Sequence, residues 1–513
     1  MDQRQATAPE VTDPGNRHVP EWMILAIACV AQFMVVLDVS IVNVALPSVG
    51  RDLHYSPTGL QWVVNAYVLT FAGFLLLGGR AADLFGRRRV FLFGLVLFTA
   101  ASLMGGVAPS SGWLTAARAL QGIGGAFLSP ATLTIIVTTF SGARLARALG
   151  TWSAVAGAGG AVGSVLGGVL TAELSWRWVL FVNIPIGLAA TVAALVALTE
   201  LRRAPEDSGR SLDVGGAITV TAGMGALIYA VVGTDSHAWA SRYTLSILAV
   251  AVLLLAAFTV IELKIARRPL VPFRLFRSRS VSGANAVMLL VGAAFFSMWY
   301  FLSLYMQNVL GYSALRAGMS FLPMALTIIV GAQVSSRLLP RIGVRPLLLA
   351  GTTIATAGFV WMSTIHAHSA YVSHVLGPGA SVALALGLLF TPLASAATAG
   401  VHYTEAGLAS GVLNTARQMG GSLGLAALAT VAIDHTHSVL AQVHGSVGTA
   451  GALTAGYSRA FVVAAVLSAA ALACSITVPS LRAGKRAPAE PVAAPEPAVR
   501  GGPAVAAADP GPA

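Results

Sequence analysis

Charge is scarce in this chain. Only 10% of its 513 residues are charged, against 56% hydrophobic residues and a mean hydropathy of +0.78. That balance excludes an ordinary soluble domain and describes a polypeptide lying mostly within lipid. Lysine is almost missing: Lys264 and Lys485 are the only two, and neither stands in a GxxxxGK[ST] turn. The chain therefore has no loop of its own to cradle the phosphates of ATP. Cysteine is limited to Cys29 and Cys474, in apolar runs near opposite ends, which excludes a disulfide framework or a thiolate metal cluster. The 19 acids avoid the apolar runs, with Asp38 the one placed well inside. Paired carboxylates, a metal-ligand helix and a nucleophile beside a base are all missing from those runs, which argues against a membrane-embedded enzyme. Eight of the ten histidines fall in expected outer loops, where wet loop residues are the default reading and no metal site is expected.

What the chain has instead is glycine and long uncharged runs. The stretch from Gly150 to Leu170, GTWSAVAGAGGAVGSVLGGVL, is uncharged and, at about 1.5 Å per residue, long enough to cross a roughly 30 Å hydrocarbon layer as one helix. Gly159, Gly163 and Gly167 recur every fourth residue, with Gly160 and Gly168 beside them, so one stripe is bare backbone that another helix can approach closely. Gly150, Gly159, Gly160 and Gly163 are matched at one constant offset by Gly411, Gly420, Gly421 and Gly424. The turns repeat too: RAADLFGRR aligns with RLLPRIGVR, placing Arg80 on Arg337, Gly86 on Gly343 and Arg88 on Arg345. These correspondences indicate an internal duplication, a common construction among transporters.

Apolar runs of about 20 residues predict fourteen membrane helices near 22–48, 59–79, 89–108, 113–138, 147–171, 178–198, 214–234, 243–265, 283–306, 316–338, 346–365, 374–398, 406–434 and 458–479. The fold class is thus an all-α integral membrane protein, two six-helix bundles with two helices inserted between them. Residues 1–21 read as a disordered cytoplasmic head, 22–200 as the first bundle, 201–282 as linkers and the inserted pair, 283–480 as the second bundle, and 481–513 as a disordered Pro- and Ala-rich cytoplasmic tail. With both termini inside, 24 of the 31 Lys and Arg residues fall on the inner side, 5 outside and 2, Arg118 and Arg417, within spans. That asymmetry obeys the positive-inside rule. The net charge of +12 is then a topology signal facing anionic lipid, and no nucleic-acid partner is expected.

Asp38 is the first candidate for chemistry. A charge at that depth costs at least roughly 2.5 kcal/mol, so it carries a functional hypothesis by default. Oil favours the neutral form of a carboxyl, which makes such a residue a candidate proton carrier. The competing reading is a structural carboxyl satisfied by neighbours such as Ser40. Arg118 keeps its own proton but can hold a nearby carboxylate ionised; a plain structural ion pair is the alternative. Between helices two and three, Gly79 and Gly86 permit tight backbone geometry, Asp83 can face a helix N-terminus, and Arg87 and Arg88 face lipid phosphates or acids. Arg417 and Gln418 form a second buried polar pair, lining the cavity, holding the gate shut or bonding structurally.

Several motifs in order resemble the fourteen-span branch of the major facilitator superfamily, the drug:proton antiporters of the EmrB/QacA type. They are LDVSIVNVALP (Leu37 to Pro47), GRAADLFGRR (Gly79 to Arg88), LTAARALQGIGGA (Leu114 to Ala126), GGAVGSVLGG (Gly159 to Gly168), WRWVLFVNIPIG (Trp176 to Gly187), YMQNVLGYSALRAGMSFLP (Tyr305 to Pro323) and SGVLNTARQMGGSLG (Ser410 to Gly424). The resemblance covers roughly residues 22–480. It implies that Asp38 and Arg118, with Asn43 and Gln121 of the same motifs, serve proton coupling and substrate, and that Gly79, Asp83, Gly86, Arg87 and Arg88 form a cytoplasmic gate. It also implies that Gly159, Gly163 and Gly167 pack the interface between bundles, with Gly168 beside them as a further packing candidate; Asn414 joins Arg417 and Gln418 as a candidate for the cavity of the second bundle. Ser164 stands where the antiporter motif usually has proline, and Leu84 where the loop motif usually has a basic residue. Ser164 can still bend its helix by bonding to a carbonyl one turn back.

The expected function is proton-coupled efflux of neutral, zwitterionic or monocationic drug or antibiotic amphiphiles, with proton and substrate competing for Asp38, in a bacterial inner membrane. A proton is the coupling ion, no cofactor is expected, and a monomer suffices. An uptake symporter on the same fold is the nearest alternative, and a non-transporting receptor a more distant one.

Overall fold

Lipid offers a backbone amide no partner, so each apolar run must close its own hydrogen bonds, and it does so as a helix. The computed structural model describes residues 20–198, 213–233, 237, 240–266, 269–271, 273–401, 406–442 and 448–480. Fourteen long helices lie among them: α1 Glu21–Asp52, α2 Trp62–Phe85, α3 Arg87–Gly106, α4 Ser111–Thr139, α5 Gly142–Glu173, α6 Asn183–Ala197, α7 Val214–Gly233, α8 Arg242–Val260, α9 Arg279–Asn308, α10 Ala314–Ile342, α11 Val344–Met362, α12 Gly377–Thr398, α13 Ala406–Gln442 and α14 Thr449–Thr477. The expected head and tail, and the basic linker around 201–210, lie outside the described residues.

The duplication seen in sequence is a duplication of packing. In the first half α1 packs on α5, α4 and α6, α4 takes both α2 and α3, and α3 meets α6. In the second half α9 packs on α13, α12 and α14, α12 takes both α10 and α11, and α11 meets α14. The two tight turns correspond as well: Gly86 joins α2 to α3 at φ +91° and Gly343 joins α10 to α11 at φ +84°. Only glycine adopts that region at no steric cost. The halves meet through α5 against α10, α13 against α2, and α1 against α9. At the end of the molecule carrying the α1–α2 and α9–α10 turns, Ser303 Oγ donates to Asn43 O at 2.7 Å and Gln307 Nε2 to Val44 O at 3.0 Å. Helix α7 lies along the α2 and α13 flank, with Leu69, Ile228, Val232 and Ala426 in one apolar cluster, and α8 packs on α7. Of α8 only Thr244 and Ala251 are buried, so most of its surface is left for lipid.

Helix existence follows hydropathy closely; helix ends do not. Expected span 178–198 is a short turn, Trp178–Phe181, followed by α6. Span 243–265 ends in a widened π turn, Ile261–Ile265, from which Glu262 accepts the N–H groups of Leu270 and Val271 at 3.2 and 3.1 Å. The linker after it contains a 3-10 turn, Phe273–Arg277. Helix α13 runs 37 residues to Gln442, about 55 Å, where the hydrophobic boundary predicts an end near 434. A helix continues into water as long as its own hydrogen bonds hold, and hydropathy does not register that.

Candidate functional site

Four helices bring polar side chains to one point inside the first bundle. Asp38 on α1 is fully buried and Arg118 on α4 is 2% exposed. Arg118 Nη1 donates to Asp38 Oδ2 at 2.5 Å and to Gln121 Oε1 at 2.6 Å, and its Nε to Val63 O at 3.0 Å. Its guanidinium lies 4.4 Å from the Tyr67 ring centroid. The other carboxylate oxygen, Oδ1, accepts from Gln121 Nε2 at 2.7 Å and from Asn183 Nδ2 at 3.0 Å. Both amides also reach Ser102 Oγ, at 2.7 and 3.4 Å. A buried ion pair is tolerated only when the remaining donors and lone pairs are satisfied, and here they largely are. Sequence reasoning found Asp38, Arg118 and Gln121 and missed Asn183 and Ser102. The signal for Asn183 was present, as a lone amide in the apolar run after Trp178; a serine on α3 gives none.

Between the two bundles lies a cavity of about 270 Å³, just under the roughly 300–1,000 Å³ of ligand pockets. Its walls are apolar and aromatic, with Phe295, Phe296, Trp299, Phe321 and Phe390 from the second half. Among the described residues its polar side chains are Ser40 and Asn43 on α1, Ser164 on α5 and Arg417 on α13, with no acid in the lining. Asp38 therefore does not face the cavity, although its neighbours Val39 and Ser40 do, and direct competition of substrate and proton for this carboxyl is not the geometry observed. The turn of α1 carries the two functions on two faces. Asn43 is likewise separated from Asp38: its Nδ2 donates to Val39 O at 2.9 Å, and its buried Oδ1 has no hydrogen-bond partner among the described residues. Arg417 Nη2 donates to Asn414 Oδ1 at 2.8 Å, and its charge lies 5.6 Å from the Phe390 ring centroid. Gln418 is buried away from the cavity with Oε1 unpaired among the described residues.

Two bundles related by duplication, a cavity between them and a buried charge pair agree with what known proteins show. The family model of the Major Facilitator Superfamily matches residues 28–425. The chain belongs to the Major Facilitator Superfamily. It is therefore a multi-pass membrane transporter rather than an enzyme. The cephamycin export protein CmcT of Amycolatopsis lactamdurans is 46% identical over 459 residues, 89% of this chain and 92% of that protein. The puromycin resistance protein pur8 of Streptomyces alboniger is 41% identical over 465 residues, 88% of this chain and 90% of that protein. Among solved structures, the POT family transporter PepTSo superposes with a TM-score of 0.64 at 15% identity, covering 89% of this chain and 99% of that one; this is likeness of fold alone.

Within this superfamily member the glycine motif serves two neighbours, which corrects the expectation that it packs the bundles together. A Cβ at Gly159, Gly163 or Gly167 would meet Phe33 O, Leu37 O or Ile41 O of α1 at 3.0, 2.8 and 2.7 Å. The period of four keeps these glycines on one face, and that face is turned to α1 in the same bundle. Gly168, one residue round, points the other way, where a Cβ would lie 2.7 Å from Ala314 O of α10. Of these four glycines Gly168 is the one that meets the other half, opposite Gly318 of α10, which lies against Ser164 O. The stripe thus clamps α1 on the turns flanking Asp38. Ser164 Oγ donates to Gly160 O at 3.2 Å, the backward bond that sequence predicts.

The turn expected to gate the inner side is seen in part. Gly79 lies near Pro130, with a Cβ 3.6 Å from it, Gly86 makes the turn, and Arg88 Nη2 donates to Leu195 O at 3.0 Å near the end of α6. That contact stays within the first bundle and places a cation at a helix C-terminus, where it is favoured. Leu84 is buried and Arg87 is half-buried. The Asp83 side chain lies outside the described residues.

Proposed function

We propose that this transporter exports drug-like amphiphiles in exchange for protons, within the fourteen-helix drug:proton antiporter branch of the superfamily. The observation that carries the reading is Asp38, an acid fully buried in the membrane interior on the helix whose next face lines the cavity. A proton arriving at an Asp38 oxygen cancels the charge that holds Arg118, Gln121 and Asn183 around it. The network then has one fewer acceptor and an unpaired guanidinium, which favours a different packing of α1 against α4 and α6. Val39, Ser40 and Asn43 move with α1, so the cavity wall changes with protonation. This is coupling through a shared helix rather than through a shared ligand, and it suits alternating access of two bundles to a central cavity.

The names of the relatives, cephamycin export and puromycin resistance, support a drug as cargo. The Lys and Arg distribution supports both termini in the cytoplasm, and the bacterial sources of the relatives support a bacterial inner membrane. A monomer holds both bundles and the whole cavity. The experiment is efflux from cells expressing the protein, measured over a dye and antibiotic panel with and without an uncoupler. Collapse of the proton gradient is expected to raise cell-associated substrate. A fall would indicate proton-driven uptake, and no uncoupler effect on any compound would overturn the reading.

A further inference from the structure

We propose that the central cavity takes amphiphiles bearing an acidic group, carboxylate above all, and that Arg417 is the residue that anchors it. The inference rests on the cavity being the substrate site and narrows the cargo to anions and zwitterions.

Among the described residues two arginines lie within the helix bundles, Arg118 buried and Arg417 half-buried in the cavity wall, and they differ in kind. Arg118 is paired with Asp38 and bonded to Gln121 Oε1 and Val63 O. Arg417 has no carboxylate partner among the described residues. Its one hydrogen bond there runs from Nη2 to Asn414 Oδ1, and its buried Nε has no acceptor. An uncompensated charge within the bundles is costly, and among the described residues Arg417 is the one charged group lining the cavity. Asn414 fixes one edge of the guanidinium, leaving the fork to meet a planar acid with two parallel bonds. The flanking Phe295, Trp299 and Phe390 suit an apolar body. Opposite, on α1, the unpaired Asn43 Oδ1 is an acceptor for an amide, hydroxyl or ammonium donor. A neutral ligand leaves the guanidinium uncompensated and a monocation is repelled by it, so the cavity selects against the cationic cargo that the scarcity of internal acids alone left open.

The test uses purified full-length protein in lipid nanodiscs and two matched fluorescent probes, N-dansyl-phenylalanine and its primary amide. The acid is expected to bind at least tenfold more tightly than the amide. Arg417→Gln is expected to bring the two affinities within about threefold by weakening the acid alone, and Arg417→Lys to keep part of the preference. Equal wild-type affinities, no saturable binding of the acid, or a preference that survives Arg417→Gln would each overturn the proposal. The wild-type comparison decides even where a variant does not fold. Binding needs no proton gradient, so an acid preference without uncoupler-sensitive flux would sink the export reading and leave the anchor standing.

Discussion

At the scale of single residues, the structure separates the charge that is satisfied from the charge that waits for a partner. Asp38 holds Arg118, Gln121 and Asn183 together, so Asp38→Asn should abolish uncoupler-sensitive efflux while the protein still reaches the membrane, and should cost about 3–5 kcal/mol of stability by leaving Arg118 unpaired. Undiminished efflux by that variant would remove Asp38 from the mechanism. Asn183→Ala deletes one donor to the same carboxylate. Its expected cost is about 1.5–3 kcal/mol, the range for hydrogen bonds to charged groups, read as a lower thermal midpoint together with at least a tenfold loss of efflux. Asp38 and Arg118 were legible in the sequence because a charge inside an apolar run is conspicuous. Their partners were less so: Ser102 resembles any helix serine, and the Val63 carbonyl has no sequence signature at all. The aromatic lining was hidden for a different reason. In a membrane bundle both the lipid face and the interior face are apolar, so Phe295 or Phe321 cannot be assigned to a cavity by hydropathy.

At the scale of helices, the bare stripe of α5 sets the position of α1. A side chain at Gly163 would press on Leu37 O at 2.8 Å, whereas one at Gly160 would meet nothing nearer than Ser40 Oγ at 3.7 Å. Gly163→Leu should therefore cost about 1–3 kcal/mol, as overpacking does, and displace the turn that carries Asp38, with at least a tenfold fall in efflux. Gly160→Ala, on the same helix, should be tolerated. Equal effects from the two would mean that the stripe does not clamp α1. The inserted pair is docked by a similar device: Gly73 of α2 lies against Thr221 of α7, and any Cβ there would collide with it. Gly73→Val should lower the thermal midpoint, and Thr221→Ala should restore part of the loss, a non-additivity expected only for residues in contact. Sequence periodicity showed that these glycines make a face; which neighbour the face meets depends on the rotation of α5 in the bundle, which no local pattern encodes.

At the scale of the molecule, the two halves are related by the repeat and meet through α5 against α10, α13 against α2 and α1 against α9. Ser303 and Gln307 of α9 bond to the backbone of Asn43 and Val44 on α1, toward the α1–α2 and α9–α10 turns. Two such bonds are worth about 1–3 kcal/mol net, enough to shift a two-state equilibrium by roughly 5–150-fold. The variant Ser303→Ala with Gln307→Leu should release that end. Spin labels at the exposed positions Arg51 and Arg316, introduced after replacing Cys29 and Cys474, report the separation directly. The expected result is a longer-distance population that grows relative to wild type, accompanied by faster access of impermeant thiol reagents to a cysteine placed at Ser40 in the cavity wall. An unchanged distance distribution would mean that closure at this end is carried by the α5–α10 contact, where Gly168 lies against Ala314. Gly168→Ala would then be the substitution that opens it.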